Sequence, residues 1–308
     1  KKSTLYYAIP LLAGLASGYA FVPPSAGSVL VANVLGVSLG TMIAVGIPVA
    51  LVSTTVAGIV WGKLIGNKIF TNLPETVKEL DEEKKELPSF GIVFTVIAIP
   101  IVLILLSTIS AYLSDSEQLV SVLQFLGEPF VALTIATLAA MYLLGTRMGY
   151  DRKQLKTVLD RSLKPVGMIL LVIASGGVIR WMLQDSGLGE MIGPLLEKSG
   201  LPLIFIGFFI AFLVRAAVGS SIVAMTMASG IMASMPAITD CSMLYRAALC
   251  CAICGGATAL SHVNDAGFWL VGTFLEIDEK TTLKSWTIME TLIGITGLVL
   301  GLVISVFA

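Results

Sequence analysis

The chain has 308 residues, 56% of them hydrophobic and 13% charged, with a mean hydropathy of +0.94 and a formal net charge of −1. A soluble domain carries about 25% charged residues, so composition excludes a water-soluble protein, and the balanced charge leaves no basic footprint for nucleic acid. Apolar runs near the ~20 residues that span a bilayer recur without the alternation of barrel strands, so the expected class is an all-α integral membrane protein.

Leu5 to Val22 predicts a first crossing. Pro23-Pro24 stops it, since proline lacks a donor and constrains its predecessor. Ser25-Ala26-Gly27-Ser28 then leads into a short apolar helix to about Leu35. Leu39 to Phe70 reads as a long crossing interrupted by Pro48. Residues 71–89 contain the run PETVKELDEEKKELP and predict a solvated connector. Phe90 to Ser110 crosses again, a loop with Asp115 and Glu117 follows, and about Leu126 to Leu144 returns. Arg147, Arg152, Lys153, Lys156, Arg161 and Lys164 then form the strongest basic cluster, which the positive-inside rule places in the cytoplasm. Counting crossings backwards puts the connector and Lys1-Lys2 on that same side.

The second half is more broken. Val166–Ala174 and Val178–Leu183, on either side of Ser175-Gly176-Gly177, are each too short for a ~30 Å core. Residues 165–199 therefore predict a re-entrant hairpin, tolerated only where the break is buried in protein or lines a wet cavity. Residues 201–236 carry Arg215 and are interrupted by Gly219-Ser220-Ser221, which predicts a discontinuous helix. Cys241 to Ala259 crosses and enters the site loop 260–268; a short helix runs to about Leu275, and the last crossing runs from about Trp286 to Ala308. Trp286 is expected in the interfacial aromatic belt. Cys241, Cys250, Cys251 and Cys254 lack a second pair at metal-site spacing and read as buried packing; no metal or cofactor is expected.

A shift of 240 places Ala26-Gly27 on Ala266-Gly267, Leu30-Val31 on Leu270-Val271, Leu35 on Leu275 and Thr41 on Thr281. The loop charges give the two blocks opposite orientations, the pattern of an inverted-repeat secondary transporter. Residues 1–70 are then the end of a first repeat, 71–89 a cytoplasmic connector and 90–308 the second repeat. Copying the second half onto the first leads to the expectation that about 80–100 residues belong in front of Lys1.

The polar stretch Ser261-His262-Val263-Asn264-Asp265-Ala266-Gly267 holds the only histidine. Polar groups at membrane depth face a cavity or a partner. Half-helix N-termini at Ser25/Gly27, Ser175/Gly176/Gly177, Gly219/Ser220/Ser221 and Ser261/His262/Asn264 would offer N–H groups and hydroxyls to an anion. His262 reads either as proton carrier and substrate partner or as a structural histidine on a loop carbonyl. Asp265 reads either as a coupling carboxylate or as the N-cap of the helix that follows. Arg215 needs a partner, in the substrate carboxylate or in Asp265 or Asp185. No HExxH, aspartate pair or Ser/His dyad points to an enzyme.

Four segments resemble the gluconate:proton symporter family, within the ion-transporter superfamily of hairpin-containing carriers: FVPPSAGSV (21–29), LKPVGMILLVIASGGVIRWMLQDSGLG (163–189), VRAAVGSSIVAMT (214–226) and LSHVNDAGFWLV (260–271). The last is nearly letter for letter. The resemblance implies proton-coupled symport of gluconate or a related small hydroxy- or amino-carboxylate, a bacterial inner membrane and, from similar carriers, a homodimer. Sodium is the alternative coupling ion. Where the family pattern resembles PPHPGP, this chain has Pro23-Pro24-Ser25-Ala26-Gly27-Ser28, so another sugar acid, glycerate and D-serine stay open beside gluconate.

Overall fold

The computed structural model describes residues 2–73, 88–113, 116–160 and 200–308, with residues 163, 174, 178, 182 and 185. The hairpin break Ser175-Gly176-Gly177 and most of the charged connector lie outside the described residues.

The first half opens with α1 (Leu5–Phe21), which stops before a cis Pro23–Pro24 peptide. Helix α2 (Ala26–Val34) restarts the chain because the Ser25 hydroxyl accepts the Ser28 N–H at 3.3 Å. Ser38 caps α3 (Leu39–Ser53) in the same way, accepting the Thr41 N–H at 3.1 Å. Pro48 lies inside α3 without ending it. The ladder widens further on, in a π turn at Thr54–Val60, and runs on as α4 (Trp61–Lys68). Helix α5 (Phe90–Leu113) turns Phe90, Phe94 and Ile97 outward. A separate helix α6 (Glu117–Leu126) occupies what the sequence reads as loop, and the return crossing begins at Pro129 in α7 (Pro129–Ala140) rather than at Leu126. Proline suits that first helical position, where its missing N–H is an orphan in any case.

The second half contains α8 (Leu203–Val218), α9 (Ser221–Ala233), α10 (Met243–Thr258) and α11 (Ala266–Leu275), then α12 (Glu279–Thr282), a π turn at Leu283–Thr287 and α13 (Ile288–Ser305). The expected discontinuous helix at 201–236 is the α8–α9 pair. Among the described residues, five helical runs are long and apolar enough to cross a bilayer: Leu5–Val34, Leu39–Lys68, Phe90–Ser107, Pro129–Met148 and Glu279–Ser305. Helices α8 to α11 are shorter apolar pieces. At ~1.5 Å per residue each falls short of the ~30 Å hydrocarbon core. One order of elements occurs twice: helix, polar break, short capped helix, then a long helix with a π turn, at 5–68 and at 243–305.

Helix α10 is the centre of the bundle. It packs against α8, α13, α9 and α3, and every residue from Ala247 to Thr258 is buried. A helix apolar on all sides belongs inside, and Ala, Cys and Gly let neighbouring backbones come close. A Cβ built on Gly255 would stand 2.8 Å from the Gly294 carbonyl oxygen of α13, so these two helices meet backbone to backbone. The cysteines are free, and Cys250, Cys251 and Cys254 are buried in this contact layer, the packing role the sequence assigns them.

Trp286 is tied to the site loop. Trp286 lies within the helical span Glu279–Ser305, just after Lys284. It is 9% exposed, and its indole N–H donates to the Ser261 hydroxyl at 2.7 Å. It is a buried hydrogen-bonding residue.

Candidate functional site

The site forms where α8 stops. Gly219 adopts φ 79°, and its N–H closes on the Arg215 carbonyl at 2.8 Å, the left-handed ending that favours glycine. A Cβ at Gly219 would also collide with the Asn264 carbonyl oxygen. Glycine is thus required twice, for its backbone angle and for the approach of the 260–265 loop. Ser220 then caps α9 through the Val223 N–H.

The loop is pinned from both sides. The Leu260 N–H donates to Thr291 Oγ1 at 3.2 Å, and Thr287 Oγ1 donates to the Ser261 carbonyl at 2.5 Å. The Ser261 hydroxyl receives the Trp286 N–H and donates to Asp265 Oδ2. Asp265 Oδ1 accepts the Gly267 N–H at 3.0 Å, capping α11. Arg215 Nη2 meets Asp265 Oδ2 at 2.5 Å, with exposures of 3% for the arginine and 14% for the aspartate. Asp265 is thus the cap of α11, one of its two sequence readings, and also the partner of Arg215. Arg215 Nη1 donates to the Gly219 carbonyl, while its Nε–H is buried without a partner.

Asn264 and His262 share one acceptor. Asn264 Nδ2 donates to the Ala216 carbonyl at 2.8 Å, and His262 Nε2 lies 3.2 Å from the same oxygen. The last carbonyls of a helix have no partner within it, so the loop satisfies the end of α8. Donation from His262 requires the tautomer that carries the proton on Nε2.

A cavity of about 300 Å³ opens beside this cluster, lined by Tyr19, Arg215, Ser221, Asp265, Trp286 and Glu290 among others. An adjoining recess of about 320 Å³ shares Tyr19, Arg215, Ser221 and Asp265 and adds Gly219, Ser220 and Asn264. Each is of the size that holds a small ligand. A larger cleft of about 1170 Å³ near Lys2, Asn72 and Asp278 is not lined by the buried Arg215–Asp265 pair, whereas both smaller recesses are, so the smaller pair is the candidate site.

The structure brings Arg215, Gly219, Ser220, Ser221, Asn264 and Asp265 together around one space. Ser261 stands behind Asp265 as its hydrogen-bond donor. His262 is not among the lining residues. Ser25 and Gly27 are not either: Ser25 caps α2, and Gly27 abuts the sulfur of Met225 on α9. Thr226 hydrogen-bonds within its own helix, to the Ile222 carbonyl at 2.7 Å. Sequence reasoning missed Tyr19, Thr258 and Glu290. Glu290 carried a signal that was there to be read, since it is the only charged residue from Ser285 to Ala308 and charges inside spans mark function. Among the described residues no group of His, Cys, Asp or Glu could hold a metal ion.

The GntP family permease model matches residues 1–307. The chain belongs to the GntP permease family. The low-affinity gluconate transporter of Escherichia coli K12 is 37% identical over 296 residues, covering 96% of this chain and 66% of the relative. The gluconate permease of Pseudomonas aeruginosa is 36% identical over 307 residues, covering 98% and 68%. The Gnt-II system L-idonate transporter of E. coli K12 is 32% identical over 297 residues, covering 96% and 66%. The chain thus spans about two thirds of the length of the curated relatives it matches. No solved structure matches it. GntP proteins are permeases and transporters by name, one an inner membrane permease of E. coli, so this GntP chain is a multi-pass protein of the bacterial inner membrane and not an enzyme.

Proposed function

We propose that this GntP permease imports gluconate, or a related small hydroxy- or amino-carboxylate, by proton-coupled alternating access between two inverted repeats. The observation that carries the reading is Arg215: a guanidinium 3% exposed at the break between two half-helices, with its Nε–H unpartnered, beside a cavity of about 300 Å³. A guanidinium recognises a carboxylate through paired N–H donors. The first residues of two half-helices, Ser221 of α9 and Gly267 next to the start of α11, line the same space, and helix N-termini favour anions. Ser221, Thr258 and the Trp286 region give polar edges for substrate hydroxyls. The names of the relatives as gluconate and L-idonate transporters support a polyhydroxy acid.

The coupling groups read from the sequence are His262 and Asp265, in the loop that closes this space. The test is uptake by the full-length protein in liposomes, with a pH gradient and a Na⁺ gradient imposed separately and gluconate, L-idonate, glycerate and D-serine as competitors. Accumulation is expected with the pH gradient alone. Uptake that requires Na⁺ and ignores pH would overturn the proton assignment, and failure of every sugar acid to compete would overturn the substrate class.

A further inference from the structure

The proposed coupling needs a group that binds a proton in step with substrate, and Glu290 answers to that description better than the loop residues do. It sits in α13, is 4% exposed, and lines the same cavity as Arg215 and Asp265. Among the described residues its carboxyl group makes no hydrogen bond or ion pair, and the charged groups acting on it are Arg215 and Asp265. Asp265 is already held through both oxygens, by Arg215, by the Ser261 hydroxyl and by the Gly267 N–H. His262 is held on the Ala216 carbonyl and does not line the cavity.

The other elements packed on α13 add little charge at this depth. Helix α1 offers Tyr19, which lines the cavity, and α8 offers Arg215. Helix α3 and the π turn at Thr54–Val60 have no titratable side chain. Helix α10 brings three buried cysteines, with Tyr245 and Arg246 near its start, and Arg246 donates to the Leu35 carbonyl. The preceding π turn carries Lys284 among its exposed positions.

We infer that Glu290 is the proton-binding residue of the transport cycle, its ionised carboxylate and the substrate carboxylate competing for the unpartnered N–H of Arg215. Substrate then loads only when a proton from the outer side has neutralised Glu290. On the inner side the substrate leaves, Glu290 gives up its proton to water, and the carboxylate takes the substrate's place on Arg215 for the return. The loaded site holds Arg215⁺, Asp265⁻, neutral Glu290 and one substrate anion. The empty site holds Arg215⁺, Asp265⁻ and Glu290⁻. Both cross with the same charge, so one proton moves with each monovalent anion and no net charge moves.

This inference rests on the proton-coupled reading above, and the experiment separates the two. The full-length protein is reconstituted and assayed with radiolabelled gluconate. If the wild type fails to accumulate gluconate under a pH gradient, the coupling reading itself falls. If the wild type accumulates, Glu290→Gln is expected to lose accumulation above equilibration while still exchanging external for internal gluconate, because exchange does not need the empty return. Its gluconate binding should also lose the pH dependence of the wild type, as glutamine imitates the neutral acid. Accumulation by E290Q, or a wild-type pH profile of binding in E290Q, overturns the inference. Should E290Q not be recovered folded, dicyclohexylcarbodiimide on the wild type replaces it. A mass-mapped adduct at Glu290 that blocks uptake and forms less readily in alkaline buffer, where the protonated acid is scarcer, is expected, and no adduct at Glu290 at any pH overturns the assignment.

Discussion

Asp265→Asn separates the charge of the Arg215–Asp265 pair from its geometry. Asparagine keeps the volume and still accepts the Gly267 N–H as an N-cap through its one oxygen, which puts its NH2 in place of Oδ2, towards Ser261 and Arg215. What it removes is one negative charge 2.5 Å from a guanidinium that is 3% exposed. Breaking a buried pair by neutralising one partner costs about 3–5 kcal/mol, because the other charge is left without compensation. At about 2 °C per kcal/mol for a larger domain, the thermal midpoint of the purified protein should fall by about 6–10 °C. An anion that can take the vacated place should restore part of this. Gluconate is therefore expected to raise the midpoint of D265N by more than it raises that of the wild type. The assay is thermal unfolding in detergent with and without gluconate. If D265N melts with the wild type and the gluconate shift is equal in both, then Asp265 does not hold Arg215, and the reasoning from the ion pair fails.

Gly219→Ala should destabilise through both causes named above: about 1–2 kcal/mol for a left-handed alanine, and further strain as its Cβ meets the Asn264 carbonyl oxygen. Its uptake should fall even where membrane insertion is normal, and wild-type uptake would show that the loop tolerates displacement. Trp286→Phe removes the indole N–H from the Ser261 hydroxyl, at about 1 kcal/mol for a lost neutral hydrogen bond; a midpoint unchanged from the wild type would show that this bond does not hold the loop. His262→Ala and Asn264→Ala should each have a small effect alone, since either side chain still serves the Ala216 carbonyl. The double variant leaves that carbonyl without a partner, at about 1–3 kcal/mol, so the thermal shifts should exceed the sum of the singles. Strict additivity would mean that the two do not share an acceptor.

Much of this was legible in the chain because membrane helices and their interruptions are written in local chemistry. Gly219-Ser220-Ser221 ended one half-helix and capped the next where a glycine and two serines say so. Asp265 capped α11 as its position before Ala266 requires. The Arg215 partner was one of two carboxylates named from sequence, and the structure selects Asp265. Other features depend on contacts between distant segments. Ser261 reads in the sequence as one more hydroxyl of the loop offered to an anion. It is instead the junction of Trp286, Thr287 and Asp265, and α13 supplies that junction from across the bundle. Trp286 followed the usual rule for a tryptophan beside a charged patch. Its burial and its bond to the Ser261 hydroxyl depend on the distant loop and have no signature in the local sequence. Helix α6 was hidden because Glu117 and Ser116 read as loop chemistry until Leu119, Val122 and Phe125 are seen on a helix, where they are exposed.

His262 shows how a rare residue type can draw attention away from a common one. A lone histidine invites the role of proton carrier because its ordinary pKa lies near neutrality. Glutamate does not, yet an acid buried in a membrane span among apolar side chains has fewer structural explanations than a histidine facing a helix-terminal carbonyl. The Ala216 oxygen accounts for the His262 ring, and the α11 cap with its Arg215 pair accounts for Asp265. No hydrogen bond among the described residues accounts for the Glu290 carboxyl or for the buried Arg215 Nε–H. Burying an ionisable group without a partner is costly. The acid and the one unpartnered N–H of the Asp265-paired arginine line one cavity, which favours components that complete them in turn: a proton on the acid and an anion on the arginine.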